Sequence, residues 1–138
     1  MIPEVTPNAA WKILETEQDV VLIDVRSKME YDYVGHPARA INIPWQEPPY
    51  WQIEPDFVEK VCEKLKKMNP TNDNLKDMTL LTICRSGSRS AAAGKVLLEN
   101  GFKKVFNVAE GFEGDLDADL HRGTINGWRN HKLPWQQT

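Results

Sequence analysis

Two cysteines, Cys62 and Cys84, are all that the 138 residues contain, too few for the disulfide framework that replaces a core in small secreted domains. Reduced thiols are the expectation. Histidine is nearly as scarce: His36, His121 and His131 stand far apart and neither cysteine belongs to a Cys-x-x-Cys pair, so no spacing of zinc ligands results. Neither a metal nor another cofactor is expected. No apolar run approaches the roughly 20 residues of a membrane span. The opening stretch Met-Ile-Pro-Glu-Val-Thr-Pro lacks the basic and apolar regions of an export leader, which predicts a cytoplasmic chain with no membrane partner. Charge of one sign is not in excess either. A net charge of −3 offers no general attraction to nucleic acid. Repeats, low-complexity tracts and a linker to a second domain are also missing, and the length suits one core. Residues 1–138 therefore read as a single domain.

What is present is grouped in short apolar runs. Thr6 before Pro7 reads as an N-cap and first helical position, and Ala9, Ala10, Trp11, Ile13 and Leu14 supply the apolar stripe of a first helix. Val20 to Val25 is continuously apolar and β-branched, the pattern of a strand buried on both faces of a parallel sheet. Ser27-Lys28-Met29-Glu30 has capping-box spacing, which predicts a brief helix directly after that strand. Ala40 to Ile43 is a second strand, stopped by Pro44. The stretch from Trp45 to Ile53, with Pro48, Pro49, Tyr50 and Trp51, reads as a loop whose aromatics anchor it in the core, with lining of a pocket mouth as the alternative.

Phe57, Val58, Val61, Cys62, Leu65 and Met68 form one apolar helix face. Cys62 on it reads as inert core, with Lys64, Lys66 and Lys67 toward solvent. A polar connection, Asn69 to Asp77, leads to a strand at Thr79 to Ile83, and Ser90 to Asn100 reads as a helix closed by Gly101 in the left-handed C′ position. Val105 to Val108 is the last strand, before an acidic, Gly-containing tail with Trp128, Pro134 and Trp135. Asp115, Asp117 and Asp119 alternate as in a calcium loop but lack its glycine and distal glutamate. Short buried strands alternating with helices predict an α/β fold whose mainly parallel sheet carries helices on both faces. Such sheets bind ligands beyond the carboxyl ends of their strands, and Cys84 stands at one such end.

Between the strand and the helix lies Cys84-Arg85-Ser86-Gly87-Ser88-Arg89. A thiol becomes a strong nucleophile as the thiolate, which a helix N-terminus favours through its unpaired N–H groups and dipole. Gly87 permits tight turning, and Arg85 and Arg89 carry permanent positive charge. The segment reads as an anion cradle with a nucleophile at its floor, and both arginines are expected to serve a bound anion more than the fold. Asp24 and Arg26 read as a structural ion pair at a strand end or as supports of the loop. His36 has a suitable pKa for proton transfer, but no spacing ties it to Cys84.

Cys84 to Ser90, with an apolar strand before it and an alanine-rich helix after it, resembles the active-site loop of rhodanese-like sulfurtransferases. Leu22-Ile23-Asp24-Val25-Arg26 resembles that family's Asp-x-Arg strand end, and Gly35-His36-Pro37-Ala38-Arg39-Ala40-Ile41-Asn42-Ile43-Pro44 its Gly-His-Ile-Pro-Gly-Ala-x-Asn-Ile-Pro signature. Asn107-Val108-Ala109-Glu110-Gly111 and the distant Trp128 are similar to its closing strand and Gly/Trp element. The resemblance implies a rhodanese-like, five-stranded, mainly parallel sheet flanked by helices. It further implies a reaction in which Cys84 takes sulfane sulfur as a persulfide and passes it on. Backbone N–H groups from Arg85 to Arg89 would hold the sulfur. The implied donor is a small sulfur anion, thiosulfate or a low-molecular-weight persulfide; the implied acceptor is a thiol or a sulfur-carrier protein.

Departures from the pattern are local. Pro37, Ala38 and Arg39 replace Ile-Pro-Gly, which puts the turn geometry after His36 in question. Glu30 stands where some two-domain thiosulfate enzymes of the family carry a cation, and the segment from Asp115 to Trp128 exceeds the minimal family ending, as a lid or partner surface would. Cysteine-dependent phosphatases and arsenate reductases of the same fold are the rival enzymes, but their loops place five residues between cysteine and arginine. Here Arg85 to Ser88 make four, a smaller ring that suits one sulfur better than a tetrahedral phosphate. A non-catalytic binding module is the rival from another class; such members usually lack the cysteine.

Overall fold

The apolar runs pair side by side into one parallel sheet in a computed structural model that describes residues 2–138. In chain order the elements are β1 (Glu4–Val5), α1 (Pro7–Thr16), β2 (Val20–Asp24), a π-helical turn (Glu30–Val34), β3 (His36–Pro37), β4 (Ala40–Asn42), β5 (Gln46–Glu47) and β6 (Gln52–Ile53). They continue with α2 (Phe57–Met68), a 3-10 turn (Leu75–Asp77), β7 (Thr79–Ile83), α3 (Ser88–Glu99), β8 (Lys104–Val108) and β9 (Trp135–Gln136). The main sheet has the order β1-β8-β7-β2-β4, and each neighbouring pair is parallel. β3 pairs with β9, and β5 with β6, as small antiparallel ribbons.

The continuous apolar character of β2 and β7 follows from their central place, since alternate side chains enter opposite cores. Val21, Ile23 and Leu80 join Phe57, Val61, Leu65, Ala93 and Leu97 under α2 and α3. Leu22, Leu81 and Ile83 join Ala10, Leu14, Phe112 and Trp128 on the other face. Each fully buried Leu, Ile or Val contributes about 1.5–3 kcal/mol relative to exposure. Cys84, next in the alternation after Thr82, falls on the α2/α3 side.

Local signals produced the expected local structure. Thr6 Oγ1 accepts from the Ala9 N–H at 3.1 Å and caps α1. The capping box is reciprocal: the Glu30 N–H donates to Ser27 Oγ and the Ser27 N–H to Glu30 Oε1, both at 3.3 Å. After His36, Arg39 sits at φ +70°, the left-handed region that the glycine of the resembled signature enters freely. Its guanidinium donates to Leu14 O at 2.8 Å and lies over the Trp11 ring, contacts that offset the backbone cost.

Three expectations need correction. α3 begins at Ser88, two residues early, because Gly87 at φ +116° turns the chain directly into the helix. Of the aromatics in the 45–53 segment only Trp45 anchors the core, at 6% exposure against the edge of Phe57. Tyr50 and Trp51 are 81% and 43% exposed on the β5–β6 ribbon. Cys62 is half-buried at the core's margin, beside Lys66, Lys67 and Leu75, rather than inside it.

Candidate active site

Cys84 follows directly on β7, and the turn to α3 wraps its sulfur. Sγ accepts the Gly87 N–H at 3.1 Å and lies 3.2 Å from Ser90 Oγ, with the residue only 1% exposed. The N–H groups of Arg85 and Ser86 meet no protein acceptor among the described residues. They stand at the start of a twelve-residue helix, an end that attracts negative charge.

Ser90 is held from behind. Its Oγ is 2.6 Å from Asn107 Oδ1, and Asn107 Nδ2 donates to Glu4 Oε2 and to Gly87 O, both at 3.1 Å. Two acceptors around Nδ2 fix the amide so that Oδ1 faces Ser90. The single hydroxyl proton then has a choice. Asn107 Oδ1 at 2.6 Å, Gly87 O at 3.2 Å and Cys84 Sγ at 3.2 Å are all acceptors within its reach.

A second segment clamps the loop from the other side. The Phe112 N–H donates to Cys84 O at 2.8 Å, and the Glu113 and Gly114 N–H groups to Arg85 O at 3.0 and 3.2 Å. Gly111, at φ +71°, makes this approach possible: a Cβ there would lie 2.5 Å from the Arg85 carbonyl carbon and oxygen. Trp128, fully buried, ties the tail back by donating its N–H to Gly111 O and its indole N–H to Pro134 O. Sequence reasoning placed Gly111 and Trp128 in a motif but not as the loop's clamp, since nothing in local spacing brings residue 111 to residue 85.

Asp24 and Arg26 are both fully buried and form a bidentate pair, Nε to Oδ1 at 2.9 Å and Nη2 to Oδ2 at 2.6 Å. Nη2 also donates to Gly35 O at 2.6 Å, and the guanidinium lies 4.7 Å from the centroid of Phe112. Neither side chain hydrogen-bonds to residues 84–89. The pair fastens the end of β2 to the turn before His36 and packs on the clamp. His36 stacks on Tyr31 at 3.8 Å and its Nδ1 bonds Tyr31 O, outside the cleft.

Above the loop opens a cleft of about 630 Å³, lined by Met29, Glu30, Val34, Gln46, Trp51, Arg85, Arg89, Glu113 and Arg122. The two loop arginines differ sharply. Arg85 is exposed and has no ion pair among the described residues. Arg89 forms a two-pronged pair with Glu30 at 2.8 and 2.9 Å. Burial pushes the Glu30 carboxyl up, but the hydrogen bonds and charge of Arg89, with help from Ser27, outweigh it and bring it down from 4.5 to about 2. The charge of Arg89 is thus largely compensated within the protein, against the expectation that both arginines face an anion freely. Arg122, which no motif singled out, reaches the cleft from the tail and donates to Gly114 O at 2.7 Å.

The ion pair has a pH signature. A carboxyl whose folded pKa lies below its unfolded value stabilises the fold above the unfolded pKa and loses that contribution as pH falls toward the folded one. Denaturant unfolding should therefore show the wild-type protein losing stability between pH 4.5 and about 2, and Glu30→Gln losing less over that window. Parallel pH curves for the two proteins would remove the pair's role.

The profile of the family described as Rhodanese-like domain matches residues 6–118. The crystal structure of Rv0390 from M. tuberculosis superposes with a TM-score of 0.82 at 31% identity, covering 99% of this chain and 98% of that one. The uncharacterized protein RC0915 of Rickettsia conorii is 26% identical over 98% of both chains. The thiosulfate sulfurtransferase GlpE of Haemophilus influenzae is 27% identical over 85% of this chain and 90% of its own. By the extent of the profile match and the parallel five-stranded architecture, the chain belongs to the rhodanese-like domain family.

Proposed function

We propose that the protein is a sulfurtransferase that carries sulfane sulfur on Cys84. The observation that supports this most is the position of Cys84 Sγ, on the Gly87 N–H at the start of α3, inside a loop with four residues between Cys84 and Arg89. In the forward step the thiolate attacks the outer sulfur of the donor. A new Sγ–S bond forms as the donor's S–S bond breaks, and its electron pair leaves on sulfite or on a thiolate. A nucleophilic acceptor, a small thiol or a sulfur-carrier protein, then takes the outer sulfur and returns Cys84 to the thiolate. The persulfide's charge falls where Arg85 and Ser86 offer free N–H groups. Ser90 supplies or withdraws a hydroxyl proton as the sulfur changes state. Asp24 and Arg26 act here as scaffold, and no cofactor is required. Membership of a family with a thiosulfate sulfurtransferase among this chain's relatives supports the same reading.

The ring size separates this chemistry from phosphate transfer. With thiosulfate or a persulfide as donor and cyanide as acceptor, thiocyanate should form, Arg85→Ala should slow its formation, and aryl phosphates should not be hydrolysed. Hydrolysis of phosphate esters without thiocyanate formation would replace sulfur transfer by a phosphatase.

A further inference from the structure

Behind the sulfur lies a polar side chain that does not line the cleft. Asn107 of β8 is 1% exposed, and Ser90 and Cys84 beside it are 0% and 1% exposed, so their polar atoms must find partners within the protein. The amide is fixed on one side: Nδ2 donates to the carboxylate of Glu4, its neighbour in the parallel β1–β8 pairing, and to Gly87 O, both at 3.1 Å. A carboxylate and a carbonyl only accept, which turns Oδ1 toward Ser90. Ser90 is pinned from β7 as well, its carbonyl accepting the Thr82 hydroxyl at 3.0 Å, and rotation of its own O–H is the freedom left.

The claims on that one proton are unequal. Gly87 O, 3.2 Å away, already takes the Ala91 N–H and the Asn107 amide. Oδ1 at 2.6 Å meets no other side-chain donor among the described residues, whereas Sγ at 3.2 Å also has the Gly87 N–H. A proton given to the sulfur leaves Oδ1 buried and unsatisfied, which is costly. A proton kept on Oδ1 leaves the sulfur to the backbone.

We propose that Asn107 is a positioning residue for the nucleophile: it competes with Cys84 Sγ for the Ser90 hydroxyl proton and so sets how much hydrogen bonding the thiolate receives. The inference rests on the reading of Cys84 as the nucleophile and names a residue that tunes it without touching substrate. A thiolate that is bonded too fully ionises readily but attacks slowly, because nucleophilicity falls with basicity. Holding back part of the Ser90 bond keeps the sulfur reactive.

The test is the rate of Cys84 alkylation by iodoacetamide against pH, on the full chain, with the adduct located by mass so that Cys62 does not contribute. Several charges surround the site: Arg85 and Arg89 in the loop, Glu30 on Arg89, Asp24 and Arg26 at the end of β2, Glu4 on β1, and Glu110 with His131 on the clamp side. They are the same in every variant, so differences report the sulfur. Asn107→Leu, which removes the competing acceptor, should lower the midpoint of the profile by about one pH unit, the size of one hydrogen bond to a charged group. The plateau rate should fall about threefold with it. Ser90→Ala should raise the midpoint, and adding Asn107→Leu to Ser90→Ala should then move it no further. Asn107→Ala makes the same comparison if the leucine variant does not fold. A midpoint unmoved or raised by the loss of Asn107, or lowered equally without the Ser90 hydroxyl, overturns the inference and leaves Asn107 a purely structural residue. Sulfur loading of the wild-type protein from thiosulfate or a persulfide, measured beside it, decides the sulfurtransferase reading separately.

Discussion

Arg26→Met should be the most damaging single substitution away from the loop, lowering the unfolding free energy by about 3–5 kcal/mol, because it strands a buried carboxylate without its partner. Asp24 and Arg26 are both fully buried, so water cannot replace the lost bonds. The methionine matches much of the arginine's volume and still packs on Phe112, which keeps cavity formation from accounting for the loss. Adding Asp24→Asn to Arg26→Met should restore part of the stability, since the uncompensated charge is then gone. Urea unfolding of the two variants decides it: a loss under about 1 kcal/mol for Arg26→Met would mean the pair is not the fastening described here.

Gly111→Ala should reduce sulfur transfer about a hundredfold per folded molecule. The backbone there is at φ +71°, and the added methyl carbon would stand 2.5 Å from the Arg85 carbonyl. Either the clamp of 112–114 or the loop must retreat, and a misplacement of about 1 Å at a reacting group costs on the order of a hundredfold in rate. Gly101→Ala is the control. It carries a similar backbone penalty at φ +96°, yet its new Cβ would meet nothing closer than Lys76 Cδ at 3.9 Å, so it should lose stability and keep its rate. Equal activity losses in the two variants would show that backbone strain alone, and not the contact with the loop, is responsible.

The central strands were legible in the sequence because β2 and β7 are buried on both faces, so apolar residues dominate both runs and no alternate solvent-facing position breaks them. The edges were not. β1, β3, β5, β6 and β9 are two residues each, too short for a period-two pattern to register. The floor of the site was legible in the same way: a cysteine at a strand end followed by Gly87 and a helix is a local arrangement, and the structure places those groups together. What lay hidden was everything assembled over distance. Glu30 meets Arg89 across 59 residues of chain, Gly111 meets Arg85 across a strand and a helix, and Asn107 links Ser90 to Glu4. The capping box at Ser27 foretold a helix start but not that its glutamate also neutralises a loop arginine, because one carboxylate serves both. Arg122 belongs to no motif and reaches the cleft only because the tail folds back beneath Trp128.

In the proposed reaction sulfur resides on Cys84 between donor and acceptor. Intact-mass measurement after exposure to a sulfane donor should show the gain of a single sulfur atom, mapped by peptide analysis to Cys84, retained in Cys62→Ser and absent in Cys84→Ser. Addition of cyanide should remove it. An adduct on Cys62, or one that survives Cys84→Ser, would contradict the account.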